Sequence, residues 1–323
     1  MVSGHAVQPA IYAVTFTSTL LAILAVALRL YTRIRIVRNP DWDDLLSALA
    51  LGFTCVFTVC VALETYYGLG RHLNTLTKDE RINSLLWLWI SVIFYHIGLG
   101  LAKLAILAQC LRVFGSIRRF QIAAWIVASI IVSYSIWAIV SLIFLCKPIT
   151  YFWHPDAEGK CLPKLPIWFL NSALGIFTDI LVAILPLPVV KSLRLPRRQK
   201  NMLMLVFALG GSVCIITIIR LYSLYAVTIS NDDSYDNPQA AIYSTIEIAA
   251  TIIFGCLPAY NAFVAQHFPD FWNGYACASR GSGGIAQPSF RVNESSGDDV
   301  DVDATRSSST NEIIPRVLRR ETR

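Results

Sequence analysis

The chain has 323 residues, of which 55% are apolar and 15% charged, with a mean hydropathy of +0.55. A soluble domain usually carries about 25% charged residues, so hydrocarbon rather than water is its main solvent. The net charge of +6 sits in short loops between apolar runs, without the basic, aromatic-laced patch that nucleic acid requires, and that class of partner is excluded.

A membrane-crossing helix needs roughly 20 mostly apolar residues, and seven segments meet that length. Residues 1–9 are read as a short extracellular N-terminus. They contain no Lys or Arg, so no cleavable signal is expected, and the first run, 10–31, serves as a retained anchor. Arg29 stands at its end, and Arg33, Arg35 and Arg38 follow, all on the same side. The second span, 44–65, runs from Asp44 to Glu64 and leads into a loop with Arg71, Lys78 and Arg81. The third, 84–110, contains His96 and Lys103, and Arg112, Arg118 and Arg119 come after it. The fourth, 121–146, has no charge; its following loop holds Lys147, Lys160 and Lys164. The fifth, 166–189, contains Asp179 and precedes the basic run from Lys191 to Lys200. The sixth, 201–225, contains Arg220. The seventh, 240–263, contains Glu247 and no lysine. From 276 to 323 Gly, Ser, Asp and Arg dominate, as expected of a disordered cytoplasmic tail.

The loop cations give this order a direction. Of the 27 Lys and Arg, 19 fall on the side of the odd-numbered loops and the tail, 6 on the other, and Lys103 and Arg220 inside spans. The excess marks the cytoplasmic side. The expectation is an all-α, seven-transmembrane helix bundle over 10–275, N-terminus outside and C-terminus in the cytoplasm, with the lipid bilayer as its first partner. The protein is read as an integral multi-pass protein of the plasma membrane, with an endomembrane as the alternative.

Charges inside a bilayer are costly, and each needs an account. Lys103 and Asp179 lie at similar depth from the cytoplasmic side, so a buried pair is expected; it is either a packing salt bridge or a polar floor under a ligand cavity. Glu64, Arg220 and Glu247, with Tyr66 and Tyr67 nearby, are expected to form a cluster toward the outer face, as a lock or a ligand contact. His96, beside Tyr95, is read first as a helix-packing side chain and second as a functional one. Cys146 and Cys161 flank an outer loop and suit a disulfide in an oxidising compartment. Cys277, past the last span, is a candidate for palmitoylation. No HExxH and no phosphate loop occurs, and neither metal site nor catalytic residue is assigned. No retinal is expected, because the last span has no lysine to form its Schiff base.

The chain resembles the fungal rhodopsin-domain membrane proteins. The carriers of the resemblance, in order, are Arg29-Leu-Tyr-Thr-Arg33, Asp41-Trp-Asp-Asp44, Tyr67-Gly-Leu-Gly-Arg-His72, Lys103 with Leu111-Arg-Val-Phe114, Cys146-Lys-Pro with Trp153 and Cys161, Asn171 with Asp179, Leu195-Pro-Arg-Arg-Gln-Lys200, Arg220, Glu247 and Cys256-Leu-Pro258. The resemblance implies a receptor-like seven-helix protein and does not imply retinal. The first functional expectation is therefore a receptor or sensor, taking a small apolar ligand and acting on a cytoplasmic signalling partner. The alternatives are a membrane enzyme or accessory protein of a secondary-metabolite pathway, using Asp179 or Glu247 for proton chemistry, and, third, a transporter.

Overall fold

The computed structural model describes residues 7–71, 76–115, 117–154, 158–186, 188, 215–219, 221 and 233–267. The chain divides into Met1–Gly274 and Tyr275–Arg323, and all the described residues belong to the first. The long helices are α1 (Val7–Tyr31), α2 (Trp42–Tyr66), α3 (Lys78–Phe114), α4 (Arg118–Ile143), α5 (Lys164–Ile184) and α6 (Asp233–His267). Each contains a stretch long and apolar enough to cross a membrane, which makes six among the described residues. The sixth expected span, with Arg220, lies outside the described residues apart from 215–219 and 221, so α6 corresponds to the seventh span of the sequence. The basic run 191–200, Cys277 and the tail also lie outside.

The helix ends differ from the hydropathy boundaries for local reasons. Helix α3 starts at Lys78 rather than 84 because Thr77 caps it: Thr77 Oγ1 accepts from Glu80 N at 3.4 Å, and Glu80 Oε2 accepts from Thr77 N at 2.9 Å. Asp41 and Asp44 form the same box at the start of α2. Helix α4 ends at Ile143 and not at 146, because Cys146 opens a two-residue strand, β1 (Cys146–Lys147). This strand pairs antiparallel with β2 (Lys160–Cys161), and a disulfide joins Cys146 to Cys161.

Polar side chains lie inside the bundle among its apolar core, and many large apolar ones face outward. Thr15, Thr19, Thr54 and Thr58 are buried, while Phe16, Leu20, Leu21 and Leu24 are more than half exposed. That arrangement suits a solvent of acyl chains, where helix association draws on close packing and interhelical hydrogen bonds rather than on a hydrophobic drive. Thr19 and Thr58 hydroxyls meet across α1 and α2 at 2.7 Å. Gly98 admits α6, since a Cβ there would stand 2.8 Å from Ile248 Cδ1. At the other end of α2, Gly68 and Gly70 have φ of 129° and 87°, which turns the chain back and buries Leu69. Gln8 of α1 donates to the carbonyls of Thr65 and Leu69, both at 3.3 Å.

One ionic cluster ties four helices together. Arg29 is wholly buried in α1 rather than lying with the loop cations. It donates to Asp44 Oδ1 at 2.9 Å, Asp43 Oδ2 at 2.6 Å, Gln109 Oε1 at 3.1 Å and the Gly255 carbonyl at 2.7 Å. Pro258 of α6 has no N–H for the Phe254 carbonyl, and the helix ladder is weakened beside the carbonyl that Arg29 takes. Arg112 of α3 reaches Asp43 Oδ1 at 3.1 Å and the Asn39 carbonyl at 2.6 Å. Asp41, Asp43 and Asp44 thus stand against Arg29, Arg33 and Arg112, and the carboxylates lie at the N-terminus of α2, where its dipole favours them.

Arg29→Met would leave two buried aspartates without their main cation. Thermal unfolding of the solubilised protein should show a loss of about 3–5 kcal/mol. Arg29→Lys should recover only part of it, because an ammonium lacks the fork that reaches four acceptors. An Arg29→Met protein as stable as the wild type would contradict the clamp.

Candidate functional site

Lys103 of α3 and Asp179 of α5 meet in the middle of the bundle. Lys103 Nζ lies 2.9 Å from Asp179 Oδ1 and also donates to Thr178 Oγ1 at 2.9 Å and to the Gly175 carbonyl at 3.2 Å. Three acceptors are what an ammonium can use, so the charge is fully solvated by protein. Asp179 Oδ2 is within 3.4 Å of the Thr217 hydroxyl, which lies 3.0 Å from Glu247 Oε1. Tyr95 then donates to Glu247 Oε2 at 2.7 Å. These five side chains are at most 7% exposed, and they form one polar path across α3, α5, residues 215–219 and α6.

The path ends at a cavity. Tyr95 and His96 line it from α3, together with Trp89 and Leu88; Phe57, Val61 and Glu64 line it from α2; Trp168 and Asn171 from α5; Ala240 and Ser244 from α6. Its volume is about 90 Å³. His96 packs edge-on to Tyr95 and Tyr134, with ring centroids at 5.1 Å and 6.3 Å. The disulfide-closed loop covers this end of the bundle: Phe152 lines the cavity, and Trp153 packs on Trp89 at 5.5 Å. The cavity therefore lies at the end of the bundle opposite the Arg29 cluster.

Two of the three carboxylate and arginine members of the expected outer cluster lie among the described residues. Glu64 lines the cavity from α2, whereas Glu247 bonds to Tyr95 and Thr217. Tyr66 is 71% exposed and stacks edge-on with Tyr67, away from the buried carboxylates. Arg220, the third member, lies outside the described residues.

Some participants were not singled out in the sequence. The pairing of Arg29 with Asp43 and Asp44 had a readable signal, since three aspartates open one apolar helix directly after an arginine-rich helix end. Thr217 and Tyr95 had none, because a hydroxyl in a span looks like ordinary packing. Asn171 entered only through the family resemblance.

A multi-pass helical membrane protein with a capped cavity and a buried polar path is the class these features define. The chain belongs to the fungal rhodopsin domain family, whose model matches residues 28–266. It is 25% identical over 270 residues to the "Receptor GIN3" of Arthrobotrys oligospora, covering 82% of this chain and 64% of that one. It is 28% identical over 173 residues to the "Satratoxin biosynthesis SC1 cluster protein 4" of Stachybotrys chartarum, covering 53% and 62%. With the "Wortmanamides biosynthesis cluster protein C" of Talaromyces wortmannii it shares 25% over 259 residues, covering 79% and 70%. The matched region thus spans a little under two thirds of the length of the first two relatives.

Removing one half of the central pair tests it. Lys103→Met alone should destabilise the protein by about 3–5 kcal/mol, and adding Asp179→Leu should restore most of that loss. Additive losses in a double-mutant cycle, read by thermal unfolding, would contradict the pairing.

Proposed function

We propose that the protein is a receptor-like sensor with seven spans, its N-terminus outside and its C-terminus in the cytoplasm of a fungal cell, in the plasma membrane. A small ligand enters the cavity beneath the disulfide-closed loop. Its binding shifts α3 and α6, and the shift loosens the Arg29 cluster at the cytoplasmic end, where a signalling partner reads it.

The observation that carries this reading is that the same two helices serve all three levels. Helix α3 contributes Tyr95 and His96 to the cavity, Lys103 to the central path, and Gln109 and Arg112 to the ionic cluster. Helix α6 contributes Ser244, Glu247 and the Gly255 carbonyl to the same three levels. From Tyr95 to Gln109 is about 21 Å along a helix axis, a distance over which a packed rod carries a tilt or rotation. The relative named a receptor supports the reading.

Retinal has no part in it. Helix α6 has no lysine, and Lys103 Nζ is already committed to Asp179, Thr178 and Gly175. A second reading, a membrane protein that acts on or carries an intermediate of secondary metabolism, draws on the relatives named for biosynthetic clusters. It would use Glu64 for proton transfer inside the cavity, and turnover that survives Glu64→Gln would sink it.

The sensor reading has two tests. A glycosylation sequon placed before Val7 should be modified in microsomes while the chain's own Asn-x-Ser sequon, Asn293-Glu294-Ser295 in the tail, stays bare; the reverse pattern would overturn the orientation. Spin labels on ketone-bearing residues at Tyr31 of α1 and Val113 of α3, both exposed, report the ionic end. Filling the cavity with Ser244→Trp should change their distance distribution in the same sense as Arg29→Gln. A distribution unmoved by Ser244→Trp would count against coupling.

A further inference from the structure

We infer that the cavity takes a small organic ammonium ion with an aromatic or apolar body, its N–H groups held by Glu64 and Asn171. The inference rests on the cavity being a ligand site, as proposed above, and adds the chemistry of the ligand.

Glu64 is 2% exposed, and its carboxyl group makes no hydrogen bond or ion pair among the described residues. An intramembrane carboxylate normally pairs with a cation or with donors, since its desolvation is otherwise uncompensated. Every other buried acid of the bundle has such partners: Asp43 and Asp44 have Arg29, Asp179 has Lys103, and Glu247 has Tyr95 and Thr217. Glu64 faces a cavity instead.

Asn171 supplies a second acceptor. It is 6% exposed, its Nδ2 donates to Ser141 Oγ at 3.2 Å, and its Oδ1 has no partner. The direction of that amide is consistent, because Ser141 gives its own proton to the Ala138 carbonyl and so accepts from Asn171. Other polar lining groups spend their protons inside the protein: Ser91 on the Leu88 carbonyl, Ser244 on the Ala240 carbonyl, and Tyr95 on Glu247. His96 and Ser172 also line the cavity, and the Glu64 carboxylate and the Asn171 amide oxygen stand beside them as acceptors without a partner among the described residues.

The walls fit the rest of such a molecule. Phe57, Trp89, Phe152 and Trp168 surround the polar groups, and aromatic faces attract a cation in a desolvated site. The space exceeds by several-fold the ~10–15 Å³ that one water needs. An anion would meet the Glu64 carboxylate, with His96 the one titratable base among the described lining residues.

The test uses the full chain in phosphatidylglycerol nanodiscs, with three probes of one shape: 2-phenylethylammonium, propylbenzene and 3-phenylpropanoate. Saturation-transfer NMR and quenching of tryptophan fluorescence report occupancy. The ammonium should bind saturably, the anion should not bind, and the neutral probe should bind at least about tenfold more weakly than the ammonium. Glu64→Gln should remove that preference, and Asn171→Leu should weaken the ammonium several-fold. Should either variant fail to fold, the ranking of the three probes on the wild type still decides. Equal binding of the neutral probe, binding of the anion, no saturable ammonium binding, or an unchanged preference in a folded Glu64→Gln would each overturn the inference.

The ammonium can belong to a free amine or to an ethanolamine headgroup. Competition by added phosphatidylethanolamine identifies the headgroup, and its absence a free amine; both outcomes keep the chemistry. The sensor reading fails separately: an ammonium that binds without changing the Tyr31–Val113 distances refutes signalling and leaves the ligand class standing. A neutral ligand that does change them keeps the sensor and removes the ammonium.

Discussion

A charge in hydrocarbon has to find its counter-charge within the protein, and this bundle is arranged around that requirement. Arg29, with no exposed surface, draws α1, α2, α3 and α6 together through four hydrogen bonds. Lys103 does the same for α3 and α5. In water either cation would be solvated by the medium and the helices would be free of it. In a membrane the same groups fix which helices are neighbours and at what depth. Ala and Leu cannot do this, because lipid chains satisfy them equally well.

The partners differ from one end of the bundle to the other. At one end three arginines stand against three aspartates, and among the described residues Arg33 Nε and Gln109 Nε2 are buried there without a hydrogen bond. In the middle, Thr217 lies within reach of both Asp179 and Glu247, and with one proton it serves one of them at a time. At the far end Glu64 and the Asn171 side-chain amide oxygen hold unused accepting capacity beneath a loop fastened by the Cys146–Cys161 bond.

Much of the architecture was legible in the sequence, since hydropathy has to be continuous over a span whatever the side chains do. Six of the seven expected runs coincide with described helices; their ends moved by a few residues, at the start of α3 because Thr77 caps it and at the end of α4 because the Cys146 strand follows. The depth argument that set Lys103 beside Asp179 worked because both lie on straight helices, where residue count converts to height. It does not say which neighbour a group such as Glu64 or Glu247 faces, because rotation about a helix axis is not written in hydropathy. Arg29 shows the opposite limit: by position it counts as a loop cation, and only the packing of α2 and α6 against α1 turns it into the centre of a core.

The central claim is that the cavity between α2, α3, α5 and α6 is a ligand site and that its acceptors are filled in the working protein. An experimental density map of the protein extracted from fungal membranes without added ligand tests this most directly. The account predicts a compact feature that bridges Glu64 and the Asn171 amide oxygen, with Tyr95 still on Glu247. A closed cavity, with the Glu64 carboxylate paired to a cation of the chain itself, would contradict it.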